Sequence, residues 1–218
     1  MASRTKPRAL SDKRPWLLAS LAAALAYFIW SDENVGGLYL TILKGVPVAL
    51  LAVYAFIRHP GADARLLGVV MVVGALGDWG VEFGWTLGGA LFLLAHLIAI
   101  VLFLRNRRER TSGSQKVAAA ALVVLTPLAA WLLSRDPLVA LYASGLGAMA
   151  GAAWLSRFPR YRVGIGAVLF VISDLLLFAR FGRAMDPTYA AWLVWPTYYA
   201  GQFLICTGVI QTLRKAPA

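Results

Sequence analysis

The stretch Gly74-Ala75-Leu76-Gly77-Asp78-Trp79-Gly80-Val81-Glu82 decides how this chain is read, because it sets a carboxylate inside an apolar run that reaches back to Leu66. A second carboxylate has a matching setting in Val171-Ile172-Ser173-Asp174-Leu175-Leu176-Leu177. A charged side chain at the centre of a bilayer costs about 2.5 to 3.5 kcal/mol on insertion scales, so an intramembrane acid is by default a functional hypothesis. That default holds here only if both runs cross a membrane.

Composition supports that requirement. The chain has 218 residues, of which 60% are hydrophobic and 14% charged, against about 25% charged in soluble domains. Its mean hydropathy is +0.71. The expected fold is an all-α membrane protein with eight transmembrane helices, at 16–30, 38–57, 66–82, 85–104, 117–133, 138–155, 163–179 and 191–213. Runs of this kind approach the roughly 20 residues that a hydrocarbon core demands. Residues 16–213 then form one domain, between a basic tail at 1–15 and a short tail at 214–218. The first run is brief, and Ala24-Leu25-Ala26 resembles a signal-peptide cleavage site. An uncleaved helix is preferred, because Trp16 and Trp30 suit the two membrane interfaces and because removing it would spoil the alternation of charge.

The net charge of +11 does not indicate nucleic acid, whose partners carry basic patches on soluble folds. Seventeen of the 21 Lys and Arg fall in alternate gaps between the apolar runs, whereas the opposite gaps hold only Arg135, Arg180 and Arg183, and Lys44 lies within a run. This bias places both termini in the cytoplasm and the loops carrying Asp32, Glu33, Asp136 and Asp186 outside. A bacterial cytoplasmic membrane is the expected location. Cys206 is the single cysteine, so neither an intrachain disulfide nor a cysteine metal cluster is possible.

Asp78 and Asp174 are 96 residues apart, which makes a parallel repeat of two four-helix halves plausible, as in some transporters. At 1.5 Å per helical residue, Lys44, Asp78 and Asp174 fall in one layer roughly 6 to 9 Å beneath the outer surface. His96, Tyr198, Tyr199 and Gln202 extend from that layer toward the midplane. In a low-dielectric cavity one acid can stay ionised beside Lys44 while the other keeps its proton. Structural explanations stand beside this one: an ion pair between Lys44 and Asp78, a backbone hydrogen bond for Asp174, an interhelical bond for His96, and ordinary solvation for Glu82 at the interface. The many glycines most simply allow close helix packing. His59 and His96 lie on opposite sides, so a His-rich metal site is disfavoured, and no Gly-x-Ser-x-Gly turn is present to support a serine hydrolase.

The ordered set Lys44-x-x-Pro47, Gly77-Asp78, Ala95-His96-Leu97, Ser173-Asp174 and Tyr198-Tyr199-Ala200-Gly201-Gln202 resembles the YhhN family of lysoplasmalogenases over nearly the whole chain. The departures are Gly45 where the family often has proline, Gly201 intervening before Gln202, and Ile98 or Ile100 in place of an aromatic after the histidine. The resemblance implies hydrolysis of the vinyl ether of a lysoplasmalogen, giving a fatty aldehyde and glycerophosphoethanolamine or glycerophosphocholine. It implies a lysophospholipid as substrate, the bilayer as partner, no nucleic acid and no cofactor; nothing specifies an oligomer. Protonating the vinyl ether β-carbon needs a general acid, and the resulting cation and attacking water need a carboxylate. Asp78 and Asp174 are the expected pair, with Asp174 as donor and Asp78 as the ionised partner near Lys44, or the reverse. Lys44, His96, Tyr198, Tyr199 and Gln202 would orient water or the glycerol. Arg180 and Arg183 are weaker candidates for the phosphate. The rival readings are a proton-coupled or small-solute transporter using the same charges, a metal-dependent lipid amidase of the alkaline ceramidase type, and a lipid-binding protein without catalysis.

Overall fold

Each apolar run folds as a helix, since a backbone in hydrocarbon must satisfy its own hydrogen bonds. The structure, a computed structural model, describes residues 14–31 and 37–215, and over these residues it is all-helical apart from one isolated bridge between Arg107 and Ser156. The helices are α1 (Arg14–Trp30), α2 (Leu38–Arg58), α3 (Ala62–Phe83), α4 (Trp85–Arg105), α5 (Gly113–Ser134), α6 (Pro137–Leu155), α7 (Ile165–Phe181) and α8 (Pro187–Lys215). Six of them, α2 to α6 and α7 with the turn before it, are long and apolar enough to cross a membrane, and α1 is a shorter apolar helix. The chain is an integral membrane protein. The 1–15 tail, apart from its last two residues, and the loop carrying Asp32 and Glu33 lie outside the described residues.

Helix ends follow local chemistry. Ser112 accepts a bond from the backbone N–H of Gln115, whose side chain bonds back to Ser112 N–H, so α5 starts four residues earlier than hydropathy alone indicates. Asp136 caps α6 through Leu138 N–H, with Pro137 at the first helical position. A five-residue π-helical turn, Arg160–Gly164, feeds α7, so the α-helical part begins at Ile165 rather than at Val163. Between α3 and α4 the whole connection is Gly84, at φ 156°, a conformation that side chains resist.

That tight turn folds α3 and α4 into a hairpin whose backbones nearly touch. A methyl group on Gly80 would lie 3.2 Å from Gly88 Cα, and one on Gly88 would lie 2.7 Å from Val81 N. The α7–α8 contact is built in the same way, since a methyl on Gly166 or Gly201 would strike the other residue's carbonyl oxygen at 2.8 or 2.7 Å. Small residues at helix crossings are how apolar helices associate in lipid, where no hydrophobic force separates them from their solvent. Each aspartate thus rides on the first helix of a glycine-closed hairpin. The halves are not packed alike, however: α5 touches α7, whereas α1 makes no such contact with α3 among the described residues. Helix α8 crosses to the first half and packs on α1, α2 and α3, and α4 packs on α6. One continuous core joins the halves.

The end of the bundle rich in Arg and Lys is tied by a buried asparagine. Asn106 donates to Asp63 Oδ2 (2.9 Å) and to Leu102 O (3.0 Å), and accepts from Arg157 Nε (2.7 Å). Arg108 donates to the carbonyls of Ser156 and Phe158. The α4–α5 and α6–α7 connections are thereby clasped together. The candidate site opens at the opposite end.

Candidate functional site

Asp78 and Asp174 are both buried, on α3 and α7, one to two turns from the ends of those helices at Phe83 and Phe181. Each accepts one tyrosine hydroxyl. Tyr198 on α8 donates to Asp78 Oδ2 at 2.8 Å, and Gln202, one turn along α8, donates to the Tyr198 oxygen at 3.5 Å. Tyr142 on α6 donates to Asp174 Oδ2 at 2.6 Å. Ser173 gives its hydroxyl proton to Phe170 O at 2.8 Å and reaches Asp174 Oδ1 only at 3.3 Å. Hydrogen bonds to a carboxylate are roughly twice as strong as neutral ones, so each tyrosine fixes the orientation of its acid.

The environments differ. Asp174 and Tyr142 form the base of a groove of about 380 Å³ between α4, α6 and α7, walled by Leu93, Leu141, Leu177 and Phe178 and open at the ends of those helices near Trp85, Asp136 and Phe181. Asp78 does not line that groove. Its partner Tyr198 packs edge-on against the Phe92 ring (5.8 Å), which meets Phe170 in the same way (6.1 Å). The same Phe92 ring borders a void of about 20 Å³ lined also by His96, Phe170 and Gln202. His96 is 3% exposed, and neither ring nitrogen meets a hydrogen-bonding protein atom. Its ring is held by edge contacts with Phe170 and Tyr142. A void of this size accommodates one water, for which His96 and Gln202 are the polar neighbours.

The structure therefore gathers Asp78, Asp174, His96, Tyr198 and Gln202 around Phe92 and Phe170, and turns other expected residues elsewhere. Lys44 pairs with Glu82 at 2.6 Å rather than with Asp78. Glu82 lies one helical turn beyond Asp78 toward the polar interface, where a partly solvated pair costs less desolvation than a buried one. Both halves of that expectation, Lys44 beside Asp78 and Glu82 merely solvated, are corrected. Tyr199 also faces away. The Ser20 hydroxyl spends its one proton on Pro47 O (2.7 Å), so its 2.8 Å contact with Tyr199 has the tyrosine as donor. That chain links α1, α2 and α8. Arg180 and Arg183 are exposed at the groove end of the bundle but do not line the groove. His59 accepts from Gly61 N–H in the α2–α3 turn, and no three His, Cys, Asp or Glu cluster among the described residues.

Sequence reasoning missed Tyr142, Phe92 and Phe170. Tyr142 lies about one turn inside the start of α6, at the depth of the aspartates, and that register was its available signal. Tyrosine is common in membrane helices as an interface residue, so depth alone does not single it out. For Phe92 and Phe170 there was no signal.

Comparison with known proteins agrees with this arrangement. The model of the YhhN family matches residues 39–209. A protein of Mycobacterium bovis named lysoplasmalogenase is 32% identical over 88% of this chain and 82% of its own length. Human lysoplasmalogenase TMEM86B is 27% identical over 97% of this chain and 95% of its own, and the pig protein of that name is 30% identical over 93% and 89%. No solved structure is a match. The transporter alternative draws no support from these relatives.

Proposed function

Because the chain belongs to the YhhN family, we propose that it hydrolyses the vinyl ether bond of lysoplasmalogens, releasing a fatty aldehyde and a glycerophospho-headgroup. The observation that carries this reading is the apolar groove that ends on the Asp174–Tyr142 pair. It suits a single-chain lipid with its reactive bond at the boundary between chain and headgroup.

In the proposed reaction Asp174 gives its proton to the β-carbon of the vinyl ether, and the charge left on the α-carbon and ether oxygen is an oxocarbenium ion. Water adds to the α-carbon and loses a proton to a carboxylate. The hemiacetal hydroxyl then loses its proton as the carbon–oxygen bond to glycerol breaks and the glycerol oxygen is protonated, so one water is consumed and both carboxyls return to their starting states. Preorganised anionic charge at the developing cation is where such a site gains most of its rate. Asp174 is assigned the donor role because it borders the groove. Asp78, held by Tyr198, which Gln202 bonds in turn, is assigned the water proton. The Phe92 ring borders both the groove and the small void beside His96. Arg180 and Arg183 stand at the groove end as phosphate partners. Lys44 would act on Asp78 only at longer range, through its charge.

The orientation proposed is the one set by the Arg and Lys bias, with the clasped basic end in the cytoplasm of a bacterial cell, the groove opening at the outer leaflet, and residues 16–213 as a single domain. The test is purified protein in detergent with lysoplasmenylethanolamine, following aldehyde release with and without chelator. Aldehyde released at the same rate in both conditions is expected; no aldehyde would remove the hydrolase reading, and loss on chelation would require a metal.

A further inference from the structure

The mouth of the groove carries chemistry that the bond-breaking step does not use. Asp136 lines it, together with Thr86, Trp85 and Phe181. As the cap of α6, Asp136 spends Oδ1 on Leu138 N–H at 2.8 Å, while Oδ2 receives no hydrogen bond from the described residues. Its neighbour Arg135 does not neutralise it, because that guanidinium lies over the Trp131 ring, 5.5 Å from the centroid. Trp85 and Phe181 meet edge to face at 4.5 Å and are 54% and 42% exposed. A carboxylate with a free oxygen at a groove mouth shared with two part-exposed aromatic rings is a recognition set for an organic ammonium ion, combining ion pairing with cation–π attraction.

The distances agree with this chemistry. Six residues of α6 separate Asp136 from Tyr142, and seven of α7 separate Phe181 from Asp174, so the mouth lies about 9 to 10 Å from the buried acid. In a glycerophosphoethanolamine the ether oxygen and the nitrogen are nine bonds apart. At the roughly 1.2 Å per bond of an extended chain, that is at most about 11 Å. A lysolipid with its ether at Asp174 therefore brings its amine to Asp136.

We propose that Asp136, Trp85 and Phe181 form a binding site for the ammonium group of the lysolipid headgroup, and so set a preference for ethanolamine and choline headgroups over headgroups without an amine. The proposal rests on the hydrolase reading only in placing the ether at Asp174. It is tested by binding, not turnover, with saturated 1-O-alkyl lysolipids that contain no vinyl ether. Affinities of the full chain in detergent are measured for the phosphoethanolamine and phosphocholine ligands and for the phosphoglycerol ligand, which has similar reach but a hydroxyl instead of the amine. The deciding quantity is the affinity ratio between amine and glycerol ligands. Asp136→Asn is the main variant, since asparagine caps a helix as well as aspartate does, and Trp85→Leu is the second. The ratio is expected to favour the amine in the wild type and to fall about fivefold in Asp136→Asn, the size of a favourable exposed ion pair. In Trp85→Leu the choline ratio is expected to fall about threefold. A ratio unchanged by Asp136→Asn, or equal weakening of all ligands, would overturn the site. A ratio that behaves as expected in a protein that releases no aldehyde from lysoplasmenylethanolamine would keep the site and remove the hydrolase reading; aldehyde release with an unchanged ratio would do the reverse.

Discussion

Asp78 and Asp174 look interchangeable in the sequence, and their partners are of the same kind, one tyrosine hydroxyl each. Their surroundings are not the same. Asp174 meets an apolar groove of about 380 Å³, while Asp78 lies outside that groove, bonded by Tyr198, which Gln202 bonds in turn. In acid–base chemistry two like groups take different roles when their environments differ. The difference teaches that access, more than residue type or depth, separates the two acids: on the proposed reading the one that lines the groove donates and the one outside it receives.

The strongest way to break this comparison is to remove each carboxylate. Asp174→Asn and Asp78→Asn are each expected to lower the rate of aldehyde release by about 10² to 10⁴, the usual worth of a positioned general acid or base. Full activity in Asp78→Asn would leave Asp174 acting alone. The tyrosines sharpen the contrast: Tyr198→Phe removes a hydrogen bond to an ionised acid, worth about 1.5 to 3 kcal/mol, and Tyr142→Phe one to a protonated acid, worth about 0.5 to 1.5 kcal/mol. Steady-state kinetics should show kcat down by about 10 to 100-fold in Tyr198→Phe and about 2 to 10-fold in Tyr142→Phe. Because Tyr142 borders the groove and Tyr198 does not, only Tyr142→Phe should also change KM.

Tyr199→Phe serves as a control of similar chemistry pointed elsewhere. It breaks the link to Ser20 and should cost about 1 kcal/mol of stability in denaturation, with kcat near that of the wild type. The smallest effect is expected from Glu82→Gln. Its ion pair with Lys44 is partly exposed, and such pairs contribute about 0 to 1 kcal/mol. A large loss of activity there would mean that Lys44 acts on Asp78 only when Glu82 positions it.

Much of this arrangement was legible before the fold was known. The apolar runs located all eight helices to within a few residues, because a helix in lipid is a local solution to the backbone's hydrogen-bonding demand. The ends moved where a specific cap extended them, as Ser112 and Gln115 do for α5. The two aspartates stood out because a charge in an apolar run is costly wherever its partners are. Partner choice was less legible. Register along a helix gives depth but not facing direction, so depth alone pairs Lys44 with the aspartate at its own level instead of the glutamate one turn outward, and does not separate adjacent Tyr198 and Tyr199, which point to different helices.

What the sequence by itself determined is a helical membrane protein with two buried acids at one depth, because composition, periodicity and the cost of burying charge are properties of each segment alone. What only the tertiary structure decided is which acid lines the groove. That depends on how α4, α6 and α7 diverge around Leu93, Leu141 and Phe178 to leave a groove, and on where the Phe92 ring comes to rest. A cavity belongs to no single segment; it is the space that several packed segments fail to fill.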